Sequence, residues 1–369
     1  MKTKVATFIA LSSIATTALA ASNRIPNGLI IHTSGEVQLE RQNGRMVRPT
    51  SGTPIYPGDK LRTAQNGQVM IQCADLGIKS IASNENQLNS CLLAKEKSKA
   101  ECSRDLVKCP DRGDGKIAWN SAPIPYIISP RGTQFLNNKP ILRWNPVVGA
   151  TSYKLSLREN GAKLNWEMTV SGTEAIYPGE PALKPGVNYK LIVVANTTGA
   201  SSEDAVGEGD TEFSVLDEGE VERVKSEVGA IGQKVPNESA QKLAISNLYL
   251  NTNLIAEAIE VLESLQKAEL ETPPIYRSLG NLYLERLQLI PQAESYYLKV
   301  IQAAKPDDIE ELTAARYGLG QVHSAMRNNL EAMGYLRMAK DGYATLGDLA
   351  MVEKIDKQLL NLQRREKRK

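Results

Sequence analysis

The chain has 369 residues, with 44 Lys and Arg against 42 Asp and Glu and a formal net charge of +2. A protein that lives on phosphate contacts needs a large basic surface, so this balance argues against nucleic acid as the partner. The only histidines, His32 and His323, leave little for nucleophilic catalysis with a His base. No H-E-x-x-H, G-x-S-x-G or Gly-rich phosphate loop appears, so the chain reads as non-enzymatic, with no cofactor and no metal implied.

Residues 1–20 have the layout of a cleavable secretory signal. Lys2 and Lys4 precede an apolar run from Val5 to Leu11, and Ala18-Leu19-Ala20 presents small side chains before Ala21. Ser12, Ser13, Thr16 and Thr17 break the run well short of the ~20 apolar residues a membrane span needs. Losing these two Lys leaves 42 basic and 42 acidic residues, a formally neutral mature protein, expected in the periplasm or outside the cell. It carries no second segment long enough to span a bilayer.

Gly28 to Ile81 reads as short alternating strands. Val37, Leu39 and Arg41 share one face, and Gly44, Gly52, Pro57-Gly58 and Gly67 mark breaks. The residues Gly35-Glu36-Val37, Gly52, Pro57-Gly58-Asp59, Leu61, Thr63, Gly67 and Val69 to Ile71 resemble the FecR-like domain, which implies a β domain over 28–83. The domain is known from periplasmic sensors of iron citrate, and this chain lacks their transmembrane and anti-sigma regions. Asp59, after Gly at a strand entrance, is expected to bond local backbone.

All four Cys lie between Cys73 and Cys109. Their spacing lacks paired C-x-x-C elements, and in an exported chain two disulfides are the better reading. Alternation in Val69, Ile71 and Cys73 puts Cys73 on an inward strand face. The expected pairings are Cys91 with Cys102 and Cys73 with Cys109, within a connecting segment over 84–125 whose part from Asn89 to Val107 reads as helical. One continuous helix would hold Cys91 and Cys102 about 16 Å apart, so the first pairing requires a turn near Lys97 to Lys99.

Residues 126–216 form a second β unit. Leu142 and Trp144 alternate, as do Tyr153, Leu155 and Leu157, then Trp166, Met168 and Val170, then Tyr189, Leu191, Val193 and Ala195, and finally Phe213 and Val215. Short strands at this spacing indicate a sandwich. The stretch Leu183 to Tyr189 resembles the turn entering a late strand of a fibronectin type III domain, which implies that the Tyr189 hydroxyl ties back to the backbone and that Trp144 is a core residue. Acidic residues crowd Glu203 to Glu222. Val221, Val224, Val228 and Ile231 then recur at helical spacing, giving a linker helix over 217–240.

From 241 to 363 the period is helical throughout and a repeat appears. Tyr276-x2-Leu279-Gly280-x2-Tyr283 followed by Ala293-x3-Tyr297 resembles the tetratricopeptide signature of paired antiparallel helices. Weaker copies run from Ile245 through Ala258 to Leu262 and from Leu319 through Ala332 to Leu336. The Ala offsets of 35 and 39 exceed the usual ~34, with the excess expected near Gln288 to Pro291 and near Lys305 to Glu311. Leu349, Val352, Ile355, Leu359 and Leu362 supply a capping helix, and a basic tail covers 364–369.

The fold class is therefore multidomain β followed by α: a FecR-like β domain, an Ig/fibronectin-like β-sandwich and a tetratricopeptide α-solenoid. This combination resembles cyanobacterial envelope proteins that join the three, which implies interaction scaffolding. In tetratricopeptide families the first helix of each pair lines a concave groove. The resemblance places Asn247 and Asn251, then Arg277, Asn281 and Glu285, then Tyr317, Gln321 and Ser324 in that groove as partner-binding residues. The amides Asn247, Asn281 and Gln321 recur at one equivalent site, suited to the backbone of an extended peptide. The expected partner is a protein or peptide of the envelope. Alternatives are a peptidoglycan or polysaccharide anchor acting through the β domains, or an envelope-sensing module.

Overall fold

The structure is a computed structural model and describes residues 25–92, 124–159, 162–204, 212–267 and 272–367. The signal segment 1–20, Cys102, Cys109 and most of the helical-looking stretch lie outside these residues. The fold is an N-terminal β region followed by a helical region, with sixteen strands and eight α-helices among the described residues.

The first β unit holds β1 (Gly28–Ser34), β2 (Val37–Glu40), β3 (Met46–Val47), β4 (Pro54–Ile55), β5 (Lys60–Thr63), β6 (Gln68–Cys73), β7 (Ile78–Ile81) and β8 (Asn86–Leu88). They form two four-stranded sheets, ordered β4-β1-β6-β7 and β3-β2-β5-β8. The period-2 residues do what their spacing requires: Val37, Leu39, Leu61, Val69, Ile71 and Cys73 are all buried in one cluster with Ile30, Ile55 and Ile81.

The unit extends past residue 83, and this overturns the expected disulfides. β8 pairs antiparallel with β5, and the Asn89 N–H then donates to Asp59 O at 2.7 Å. Asn27 Nδ2 donates to Cys91 O at 2.7 Å and Asn89 Nδ2 to Asn27 Oδ1 at 2.6 Å. These bonds lay Cys91 over the inward face beside Cys73, and the two form a disulfide with Cα atoms 5.2 Å apart. Neither Cys91–Cys102 nor Cys73–Cys109 forms, because strand pairing brings Cys91 to Cys73 before the chain reaches the other two.

The second unit holds β9 (Ile127–Ser129), β10 (Thr133–Phe135), β11 (Ile141–Trp144), β12 (Tyr153–Glu159), β13 (Ala162–Val170), β14 (Glu174–Ile176), β15 (Tyr189–Ala195) and β16 (Glu212–Val215). A five-stranded sheet β10-β16-β15-β12-β13 faces a three-stranded sheet β14-β11-β9. β10 runs parallel to β16, an exception in an otherwise antiparallel unit. Trp144 is 1% exposed in the core with Tyr153, Trp166, Tyr177 and Tyr189. The Lys184 N–H donates to the Tyr189 hydroxyl at 2.8 Å, the backbone tie expected of that turn.

The helices are α1 (Glu218–Lys234), α2 (Glu238–Asn251), α3 (Ile255–Lys267), α4 (Pro273–Asn281), α5 (Ile290–Ala303), α6 (Ile309–Ala325), α7 (Asn329–Thr345) and α8 (Leu349–Glu366). The 217–240 segment is not one linker helix. α1 stops before Val235-Pro236, and Asn237 accepts the Ala240 N–H at 2.9 Å to cap α2, so the array starts at Glu238. At the other end α8 runs to Glu366 and takes in the first residues of the basic tail.

The pairs α2/α3, α4/α5 and α6/α7 turn through Asn253, Gln288 and Arg327, each with φ between 53° and 59°. The excess residue in the second pair sits earlier than expected, in a π turn at Leu282–Arg286 that continues α4. Its signature is that the Leu254 N–H reaches Tyr249 O while the Leu289 N–H reaches Tyr283 O, one residue further. The later excess lies in the helices rather than in an extended connection near Lys305 to Glu311, chiefly in a longer α6, 17 residues against 14 in α2.

Candidate interaction face of the helical array

The helices approach through missing side chains. A Cβ on Gly280 would lie 2.8 Å from the Tyr297 ring, one on Gly318 would overlap the same ring, and one on Gly320 would lie 2.7 Å from Leu336. Tyr297 fills the notch between α4 and α6 and donates its hydroxyl to Asn281 Oδ1 at 2.8 Å. Tyr283 stacks on Tyr296 with ring centres 5.5 Å apart, and both hydroxyls donate to Glu263 Oε1 at 2.8 Å. His323, at the position Tyr249 and Tyr283 hold in the other pairs, stacks on Tyr335 and sits 3.5 Å from Glu294, a packing role.

The eight groove residues do not form a free polar row. Asn247 Nδ2 donates to Gln72 Oε1 of β6 at 3.0 Å, and Asn251 Nδ2 donates to Asn247 O at 2.9 Å. Arg277 Nε pairs with Glu311 Oε2 at 2.6 Å, and Asn281 is bound to Tyr297. Gln321 Nε2 donates to Gln358 Oε1 at 3.0 Å, and Tyr317 lies edge-on to Tyr343 beneath Lys354. Ser324 is half-buried near the end of α6, and Glu285 is exposed on the π turn. The recurring amide is thus used three times inside the chain, on Gln72, Tyr297 and Gln358. An amide needs several partners wherever it is buried, and neighbouring side chains supply them here.

Sequence reasoning missed the residues that join β unit to array. Arg41 is 2% exposed. Its NH1 donates to Asp59 Oδ2 at 2.6 Å and Pro54 O at 3.0 Å, while Nε and NH2 grip both oxygens of Glu310 at 3.0 and 2.5 Å. Burial disfavours the Arg41 cation, and Glu310 and Asp59 outweigh it, leaving the pKa above its ordinary value. Asp59 also accepts the Tyr56 N–H at 3.0 Å, the local bond expected of it, so it serves as both turn residue and arginine clamp. Arg45 adds a second cation on Glu310 at 2.8 Å. The available signal was Arg41 in register with Val37 and Leu39: a charge on an inward face needs a buried counter-charge.

The second β unit grips the turns between paired helices. Thr133 Oγ1 accepts the N–H groups of Ile255 and Ala256 at 2.9 and 3.3 Å, so a side chain from β10 caps α3. The Gln134 N–H donates to Asn253 O at 2.9 Å, and Arg131 Nε to Leu287 O at 2.6 Å. The Leu136 N–H donates to Glu257 Oε1 at 3.0 Å. Burial pushes the Glu257 carboxyl up to about 7 against the pull of that bond.

Among the described residues no cluster of His, Cys, Asp and Glu could hold a metal ion, and no helix is long and apolar enough to cross a membrane. No protein-family model matches the chain, and no curated protein does. Six chains of solved structures match. One is the crystal structure of MamA, 19% identical, covering 42% of this chain and 99% of that one at a TM-score of 0.26.

Proposed function

We propose that the chain is an exported, non-enzymatic scaffold of a bacterial cell envelope, whose tetratricopeptide-type array holds another polypeptide. The observation that carries the reading is the repeated unit itself: three antiparallel helix pairs with a left-handed residue in each turn, Tyr297 and Leu336 seated on glycine notches, and a final helix over the end. Stacked pairs of this kind bury a continuous core and leave one helix of each pair facing outward as an extended surface. The FecR-like and fibronectin-like units pack against it within the same chain. The Cys73–Cys91 disulfide supports an oxidising compartment.

Cross-linking of the tagged protein in its native envelope, followed by mass spectrometry, tests the reading, and reproducible recovery of one polypeptide partner is expected. Co-sedimentation with purified peptidoglycan and no polypeptide partner would replace it with the anchor reading. Intact mass of the protein from that envelope is expected to begin at Ala21, and retention of Met1 to Ala20 would remove export.

A further inference from the structure

The array face that the sequence assigns to a partner is covered by the chain itself. β1 is buried on both sides: Ile30 enters the core of the β unit, while Ile31 joins the array's cluster with Leu243, Leu248 and Leu279. Gln72 meets Asn247 of α2. Thr272 Oγ1 donates to Ser51 O at 2.8 Å, and Gly52 approaches Pro274 and Ile275 so closely that a Cβ would lie 3.1 Å from Pro274. Arg41 holds Glu310 at the start of α6, and Asn43 Nδ2 donates to Leu346 O at 3.2 Å. The cover thus spans all three helix pairs.

We propose that the N-terminal β unit is a releasable cover, an autoinhibitory contact latched by Arg41 on Glu310, and that the array's polypeptide partner docks on the face it vacates. This rests on the function proposed above. Both halves are chemically complete when apart. Arg41 keeps Asp59 and Pro54 O, so its cation is not stranded. Glu310 already reaches solvent and sits in the first turn of α6, where the helix dipole favours an anion. Arg277 keeps Glu311. The β unit has its own buried cluster around Ile30, Leu39 and Leu61 and its own disulfide, and Ile31 is the one fully buried side chain it gives to the array's cluster. Closure also carries a cost: Gln72 is fully buried, and its Nε2 has no hydrogen-bond partner. A donor taken from water without a new bond favours release.

The test is hydroxyl-radical footprinting of the full chain in wild type, Glu310→Ala and Thr272→Val. The second variant removes the bond to Ser51 without touching an ion pair. Release predicts a several-fold rise in modification of Ile31 and Met70, which pack on the array, with Ile30, Leu39 and Leu61 unchanged. No rise in either variant overturns the cover. A rise that includes Leu39 and Leu61 also overturns it, because the unit then unfolds rather than lifts. In the envelope cross-link, Glu310→Ala is expected to capture several-fold more partner than wild type, and equal capture removes autoinhibition. Lifting with no polypeptide captured by either form leaves the cover standing and counts against the polypeptide reading instead.

Discussion

Asn247 and Gln72, 175 positions apart, share a hydrogen bond of 3.0 Å, and this contact changes what a mutation in the groove reports. A residue expected to touch a foreign peptide touches the chain's own β6.

The same holds for Arg277, whose pair with Glu311 at 2.6 Å leaves side chains 17% and 8% exposed. Burial works against the cation, and Glu311 holds its pKa above the ordinary value. Arg277→Ala strands a largely buried carboxylate, and removing one partner of such a pair costs about 3 kcal/mol. The urea midpoint should therefore fall, whereas a purely surface role predicts lost affinity at unchanged stability. An unchanged midpoint would return Arg277 to the free groove.

Two glycines separate close packing from helix propensity. Gly318→Ala drives a methyl into the Tyr297 ring and should cost about 1–3 kcal/mol, as overpacking does. Gly229→Ala, in the exposed middle of α1 with nothing within 4 Å, should gain about 0.5–1 kcal/mol from helix propensity. Chemical denaturation of both variants checks the pair, and equal shifts of one sign would contradict the notch.

Much of this architecture was legible because it is periodic. Alternation identified the inward faces of both β units, including Cys73, and the Tyr–Gly–Ala spacing identified the helix pairs. Local chemistry was also readable, as in the Tyr189 hydroxyl held by the Lys184 N–H. What escaped was long-range pairing. Nothing near Arg41 in sequence announces Glu310, 269 positions on. Nothing in the spacing of four Cys announces that β8 returns Cys91 to Cys73. Equivalence between repeats set Asn247, Asn281 and Gln321 at one position, yet it could not foresee that three different neighbours would use them.

The Cys73–Cys91 bridge closes a loop with a sequence separation of 18. Chain-entropy arguments give such a loop about 3 kcal/mol of stabilisation. Non-reducing peptide mapping should recover the Cys73 and Cys91 peptides as one linked species, and Cys91→Ala should lower the stability of the first β unit by about 2–4 kcal/mol. Recovery of Cys91 linked to Cys102 would contradict the path of β8.

Glu257 gives the joint between the second β unit and α3 a pH dependence whose sign follows from its environment. One oxygen accepts the Leu136 N–H, the other is buried with no hydrogen-bond partner, and burial raises the folded pKa from 4.5 to about 7. The folded state therefore binds more proton than the unfolded state between these values. The contribution is fully present below pH ~4.5 and lost as pH rises through ~7. Complete burial would make the loss about 3 kcal/mol at 1.36 kcal/mol per unit; partial solvation brings it nearer 1–2. Glu257→Gln keeps the acceptor for Leu136 and cannot ionise, so its urea midpoint should drop less than that of wild type between pH 5 and pH 8. Other titrating groups act on both proteins alike, so the difference between the two pH profiles isolates this carboxyl. Parallel profiles across that range would mean that Glu257 is solvated and that the β10–α3 joint is looser than these contacts require.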